Sequence, residues 1–140
     1  MLGRVLAVFP GKVRLVYKDF PLRFHSGAEP AAMAARCAGE HGRYWEYHDL
    51  LFVAQPAFTR ADLITYAARL GLPQDVFAAC LDGGRFRDAV KADMQEGRAA
   101  GVSGTPTFII NGRRLVGSQP LEAFREAVED ALRETDGKRP

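Results

Sequence analysis

Sulfur is where chemistry would first be sought, and the sequence offers two cysteines, Cys37 and Cys80. A reactive thiolate needs a cationic cluster or a helix N-terminus to lower its pKa. Each cysteine instead falls in the middle of an apolar helical pattern, so neither is a good nucleophile. Two readings stand open: a pair of buried, reduced thiols, since free cysteine is among the most buried residues, or a disulfide joining two helices. Met33, Cys37 and His41 fall four apart on one helical face, with Glu40 and His48 nearby. Cys37 and His41 could share a metal ion at that spacing. No second paired motif accompanies them, as a structural zinc site requires, so neither metal nor cofactor is expected. His25, in Phe24-His25-Ser26, reads as a loop histidine. Tyr44, Trp45 and Tyr47 read as helical core.

The second stretch with chemical content is Gly101-Val-Ser-Gly-Thr-Pro-Thr-Phe108, followed by Ile109-Ile110-Asn111-Gly112-Arg113-Arg114-Leu115-Val116. Gly101 and Gly104 punctuate a loop. Pro106 lacks a ladder donor and must sit at a strand start or an edge. Asn111-Gly112 between apolar runs predicts a two-residue hairpin, because both turn positions need positive φ. Arg113 and Arg114 then read as a solvated hairpin tip. On the residues alone Pro106 is a trans proline opening a strand.

The elements that position these residues follow from periodicity. Leu2, Val5, Leu6 and Phe9 predict a short helix over residues 1–9, ended by Pro10-Gly11. Residues 13–20 alternate apolar and polar, which predicts a half-exposed strand ended by Pro21. Ser26 and Glu29 have capping-box spacing ahead of an alanine-rich helix that carries Cys37. Four more helices follow: one from Tyr44, one from Thr59 with Gly71 past its end, one from Pro73 carrying Phe77 and Cys80, and one with Phe86, Val90 and Met94 as its stripe. Pro120 opens a last helix with Leu121, Phe124, Val128 and Leu132 facing inward. Residues 135–140 read as a frayed polar tail.

At 140 residues the chain is expected to be one domain. Nineteen basic and seventeen acidic side chains leave +2, with both signs interspersed. That is no footprint for nucleic acid or an anionic membrane. No apolar run approaches the ~18 residues of a membrane span. The start does not read as a signal peptide, because Pro10-Gly11-Lys12 cuts the apolar run short. A cytoplasmic location is expected for the chain as written, and an extracytoplasmic one if the true start lies upstream.

Gly-Val-Ser-Gly-Thr-Pro-Thr-Phe at the mouth of a hairpin resembles the cis-proline end of a thioredoxin fold, and more closely the DsbA-like thiol–disulfide oxidoreductases. Val13-Arg-Leu-Val-Tyr-Lys-Asp-Phe-Pro-Leu22, Ala35-Arg-Cys-Ala38, Tyr44-Trp-Glu-Tyr-His-Asp-Leu-Leu51 and Phe77-Ala-Ala-Cys-Leu-Asp82 are similar to segments of that family, in the same order. The resemblance implies an α/β, thioredoxin-like fold with a helical insertion over residues 28–100. It implies a cis Thr105–Pro106 bond that presents Thr105 and Pro106 to an extended substrate peptide, and it favours proximity of Cys37 and Cys80.

Family members carry a Cys-x-x-Cys pair after a first strand, and this sequence contains none. Its opening residues are similar to the back half of the helix that follows that pair, so the first strand is expected to be missing. The family function implied is thiol–disulfide exchange on protein substrates. Two explanations compete for this copy: an upstream start that restores the pair, or a non-catalytic module that binds polypeptide at the cis-proline loop. A third reading, a relative of the glutathione-dependent isomerases and transferases, needs a serine or cysteine where the redox pair would be. Without its central strand the sheet is expected to be incomplete and open to self-association.

Overall fold

Proline and glycine cut this chain into short helices, because neither continues a helix without cost. The computed structural model describes residues 2–137. Its elements in chain order are α1 (Leu2–Val8), α2 (Ala28–Gly39), α3 (Tyr44–Ala54), α4 (Arg60–Arg69), α5 (Gln74–Asp82), α6 (Arg87–Ala99), β1 (Thr107–Ile110), β2 (Arg113–Val116) and α7 (Leu121–Asp136). They form two compact units, one from Met1–Tyr17 with Val102–Pro140, the other Lys18–Gly101. The second unit therefore takes in residues 18–27, ahead of the helical insertion expected over 28–100.

In the first unit β1 and β2 form an antiparallel hairpin, with Thr107 opposite Val116 and Ile110 opposite Arg113. Asn111 and Gly112 make the turn with φ of 46° and 91°, the positive values a two-residue hairpin loop demands. Alternation sends Phe108, Ile110 and Leu115 to one face, where they pack with Val5 of α1, with Phe9 and with Phe124 and Val128 of α7. Phe108 meets Phe124 edge to face at 4.8 Å. Ile109 and Val116 face the other way and are more than half exposed, at 51% and 56%.

In the second unit the alanines of α2 let it sit close to α3, α4, α5 and α6. Its buried face meets Tyr47 and Leu51 of α3, Leu63 and Tyr66 of α4, Phe77 and Leu81 of α5 and Val90 of α6. The two core tyrosines keep their hydroxyls bonded: Tyr47 donates to the Leu63 carbonyl and Tyr66 to the Ala57 carbonyl, both at 2.8 Å. Buried polar tips need such partners. Thr59 and Asp62 form a reciprocal capping box at the start of α4.

Several expectations are corrected here. Residues 13–20 do not form a strand. Alternating burial runs only as far as Val16: Val13 and Leu15 are half-buried, Arg14 and Val16 are exposed, and Tyr17 is exposed as well. A strand also needs a ladder partner, and among the described residues the sheet holds only β1 and β2. Ser26 and Glu29 make no capping box. The N-cap of α2 is Gly27, with no side-chain cap, and a Cβ on Gly27 would meet Phe58 Cβ at 2.9 Å. Trp45 is not core: it lies two residues from Tyr47, on the other side of α3, and is 45% exposed. Thr135 and Asp136 belong to α7, where Thr135 Oγ1 donates to the Ala131 carbonyl. Residues 138–140 of the expected tail lie outside the described residues.

Candidate functional site

The loop entering β1 is built by local chemistry. Gly101, at φ 80°, ends the run that follows α6, and Thr107 Oγ1 donates to the Gly104 carbonyl at 2.7 Å. Thr105–Pro106 is a cis bond, as is Gln55–Pro56. Thr105 and Pro106 are both exposed. The Pro106 carbonyl accepts from Gly117 N at 2.8 Å, so it points toward β2. In an antiparallel ladder successive residues direct their backbone groups to opposite edges. Thr107 and Ile109 therefore aim N–H and C=O at the other edge of β1, which has no strand partner among the described residues. Pro106 sits where its missing N–H weakens the β1–β2 ladder least, at its first rung.

The cysteines lie in the second unit, on the facing sides of α2 and α5. Cys37 and Cys80 are joined in a disulfide, with Cα atoms 6.0 Å apart and a sequence separation of 43. Both are buried, Cys37 at 1% and Cys80 at 7% exposure. With both sulfurs bonded to each other, the readings as reduced thiols and as a Cys37–His41 metal site do not hold. No group of three or more metal-ligating side chains occurs among the described residues. The bridge closes a long loop, which by chain entropy alone disfavours the unfolded state by about 4 kcal/mol.

The sequence reading missed a charged cluster in the same unit. Arg36, next to Cys37 on α2, bonds through Nε to Asp19 and through Nη2 to Asp93 of α6, each at 2.6 Å. Asp93 Oδ2 also accepts from Asp19 N at 2.9 Å, and Lys18 Nζ reaches Asp93 at 3.4 Å and Glu96 at 2.9 Å. Asp19 and Asp93 are the buried polar residues among those described, at 5% and 8% exposure. Burial pushes the Asp19 carboxyl above its ordinary range, although its bond to Arg36 pulls the other way. Burial opposes the charge on Arg36 too, but Asp19 and Asp93 hold that guanidinium above its ordinary value. One signal was available in sequence: Asp93 stands three residues after Val90, on the inward stripe of α6, where only a paired acid is tolerated. The cluster anchors residues 18–19 to α2 and α6, which is a structural task.

Of the other residues singled out in sequence, His25 is exposed beside Phe24, and His48 lies half-buried on α3 beside Asp49. Arg113 is paired with Asp130 of α7 at 2.7 Å. Tyr47 is core, and burial raises the pKa of its hydroxyl.

Comparison with known proteins adds the family context. A family model described as Thioredoxin matches residues 5–130. The chain is 41% identical over 134 residues to the Na(+)/H(+) antiporter NhaA 1 of Salinispora arenicola, covering 91% of this chain and 21% of that protein. It is 41% identical over 143 residues to NhaA 3 of Salinispora tropica, covering 98% and 22%. The NhaA antiporter of Herminiimonas arsenicoxydans is 36% identical over 129 residues, covering 92% and 20%. The chain thus spans about a fifth of the length of the curated relatives it matches. No helix among the described residues is long and apolar enough to cross a membrane.

Proposed function

This chain belongs to the thioredoxin family, with its α/β fold and helical insertion, and from that premise we propose that it is a DsbA-like domain that recognises polypeptide without performing thiol chemistry of its own. An extended segment adds as a strand to the outer edge of β1, beginning at Thr105 and Pro106. The observation that carries this reading is the fate of sulfur: the only two cysteines in the sequence are bonded to each other inside the second unit. Thiol–disulfide exchange begins with attack by an accessible thiolate, and this chain has none to offer. Strand addition needs only main-chain donors and acceptors along an edge, and Thr107 and Ile109 supply them.

The bridge supports an oxidising, extracytoplasmic setting. The relatives named as Na(+)/H(+) antiporters support reading the domain as a recognition module of a larger transport protein.

The test is an amide NMR titration with reduced, alkylated insulin B chain, a cysteine-blocked extended polypeptide. Shifts concentrated at the amides of Thr105, Thr107 and Ile109 are expected, with no reduction of intact insulin above background. Binding that leaves those amides unmoved, or insulin reduction abolished by Cys37→Ser, would overturn the reading.

A further inference from the structure

Helix α3 turns Tyr47 and Leu51 to the core. The opposite side carries Trp45, Phe52 and Val53, exposed at 45%, 57% and 86%. Large apolar side chains grouped and exposed on one face mark an interaction surface. The outward rings are already organised into a ridge: Trp45 lies edge to face with His48 at 5.3 Å, and His48 packs on Phe52 at 4.7 Å. A preformed ridge of this kind loses little side-chain freedom when a partner covers it.

The charges that α3 itself carries are acidic. Within α3 stand Glu46 and Asp49 and no lysine or arginine. Arg43, just ahead of the helix, is engaged with Glu46 at 3.0 Å. Asp49 touches His48 Nδ1 at 3.0 Å yet keeps 78% of its side chain exposed. Residues 45, 49, 52 and 53 share one face at helical spacing, so Asp49 stands in the middle of the apolar ridge. That juxtaposition selects among occupants. A second copy of the chain would bring Asp49 against Asp49, and an anionic bilayer would be repelled by it. A cationic amphipathic segment satisfies both features, since its apolar stripe covers Trp45, Phe52 and Val53 while its lysines or arginines meet Asp49.

We propose that the outward face of α3 is a docking surface for a cationic amphipathic helix of a partner polypeptide, separate from the β1 edge. Trp45 is the single tryptophan in the sequence, so its emission reports on this face. The probe is a synthetic amphipathic helix of leucine and lysine, run beside a scrambled peptide of the same composition and beside phospholipid vesicles, neutral and anionic. A saturable blue shift with the amphipathic peptide is expected, weakening with salt and roughly tenfold weaker in Asp49→Lys. Phe52→Ser should weaken it similarly, with far-UV circular dichroism unchanged. Should Phe52→Ser fail to fold, Asp49→Lys, at an exposed position, still decides. Equal binding by Asp49→Lys, equal response to the scrambled peptide, a blue shift with vesicles alone, or a peptide-free dimer that buries Trp45 would each overturn the proposal.

Discussion

Reducing the Cys37–Cys80 bridge should cost the protein much of its stability while leaving the folded contacts of α2 and α5 almost unchanged. The sequence separation of 43 sets the scale. The chain-entropy relation gives a loss of about 13 cal/mol/K from the unfolded ensemble, or about 4 kcal/mol at 25 °C. A domain of this kind has only ~5–15 kcal/mol in total, so the bridge is a substantial share of it. Both sulfurs are buried, so reduced thiols would remain packed as small apolar groups and add little penalty in the native state. The assay is urea unfolding followed by circular dichroism, oxidised against reduced, with Cys37→Ala/Cys80→Ala as a bridge-free reference. The expected result is a loss of about 3–4 kcal/mol and a larger m-value, because the unbridged unfolded chain exposes more surface. The alanine pair should lose slightly more, through the small cavities it leaves. A loss below about 1 kcal/mol, with an unchanged m-value, would refute the entropic argument and mean that packing around α2 and α5 already confines the unfolded chain.

Four further outcomes follow from the same structure. Asp19 is raised in the folded state, chiefly by burial, so its contribution to stability is fully present below its ordinary pKa and is lost as pH rises through the folded value. Asp19→Asn should therefore flatten the stability profile in that window, as urea midpoints across the acid range would record, while Arg36→Met should cost about 3–5 kcal/mol by leaving two buried carboxylates without their shared partner. Ile109→Pro removes a donor from the outer edge of β1 but not from its ladder with β2; polypeptide binding measured by calorimetry should fall roughly tenfold, with the thermal midpoint little moved. Thr59→Ala breaks the capping box of α4 and should cost about 1 kcal/mol in chemical denaturation.

Elements that depend on local chemistry were legible in the sequence. Asn111-Gly112 specifies its turn because two adjacent positive φ values exclude most other residue pairs. The inward stripe of α7 is readable because Leu121, Phe124, Val128 and Leu132 repeat at the helical period, and all four join one cluster. The stop of α4 at Gly71 follows from the left-handed conformation that position adopts, at φ 71°. Pairings between distant residues were not determined in that way. Residues 13–20 carry the alternation of a strand, but a ladder is made by two segments, and one segment's pattern cannot state whether the second is there. Cys37 and Cys80 each read as a buried helical position, compatible with thiol or bridge, until the packing of α2 on α5 brought their Cα atoms to 6.0 Å. Asp93 carries no mark in the sequence beyond its place three residues after Val90 on α6. Only the approach of α2 to α6 and of residues 18–19 to both turned it into one arm of a buried charge network, because Coulomb attraction and hydrogen bonding act over a few ångströms of space and take no account of distance along the chain.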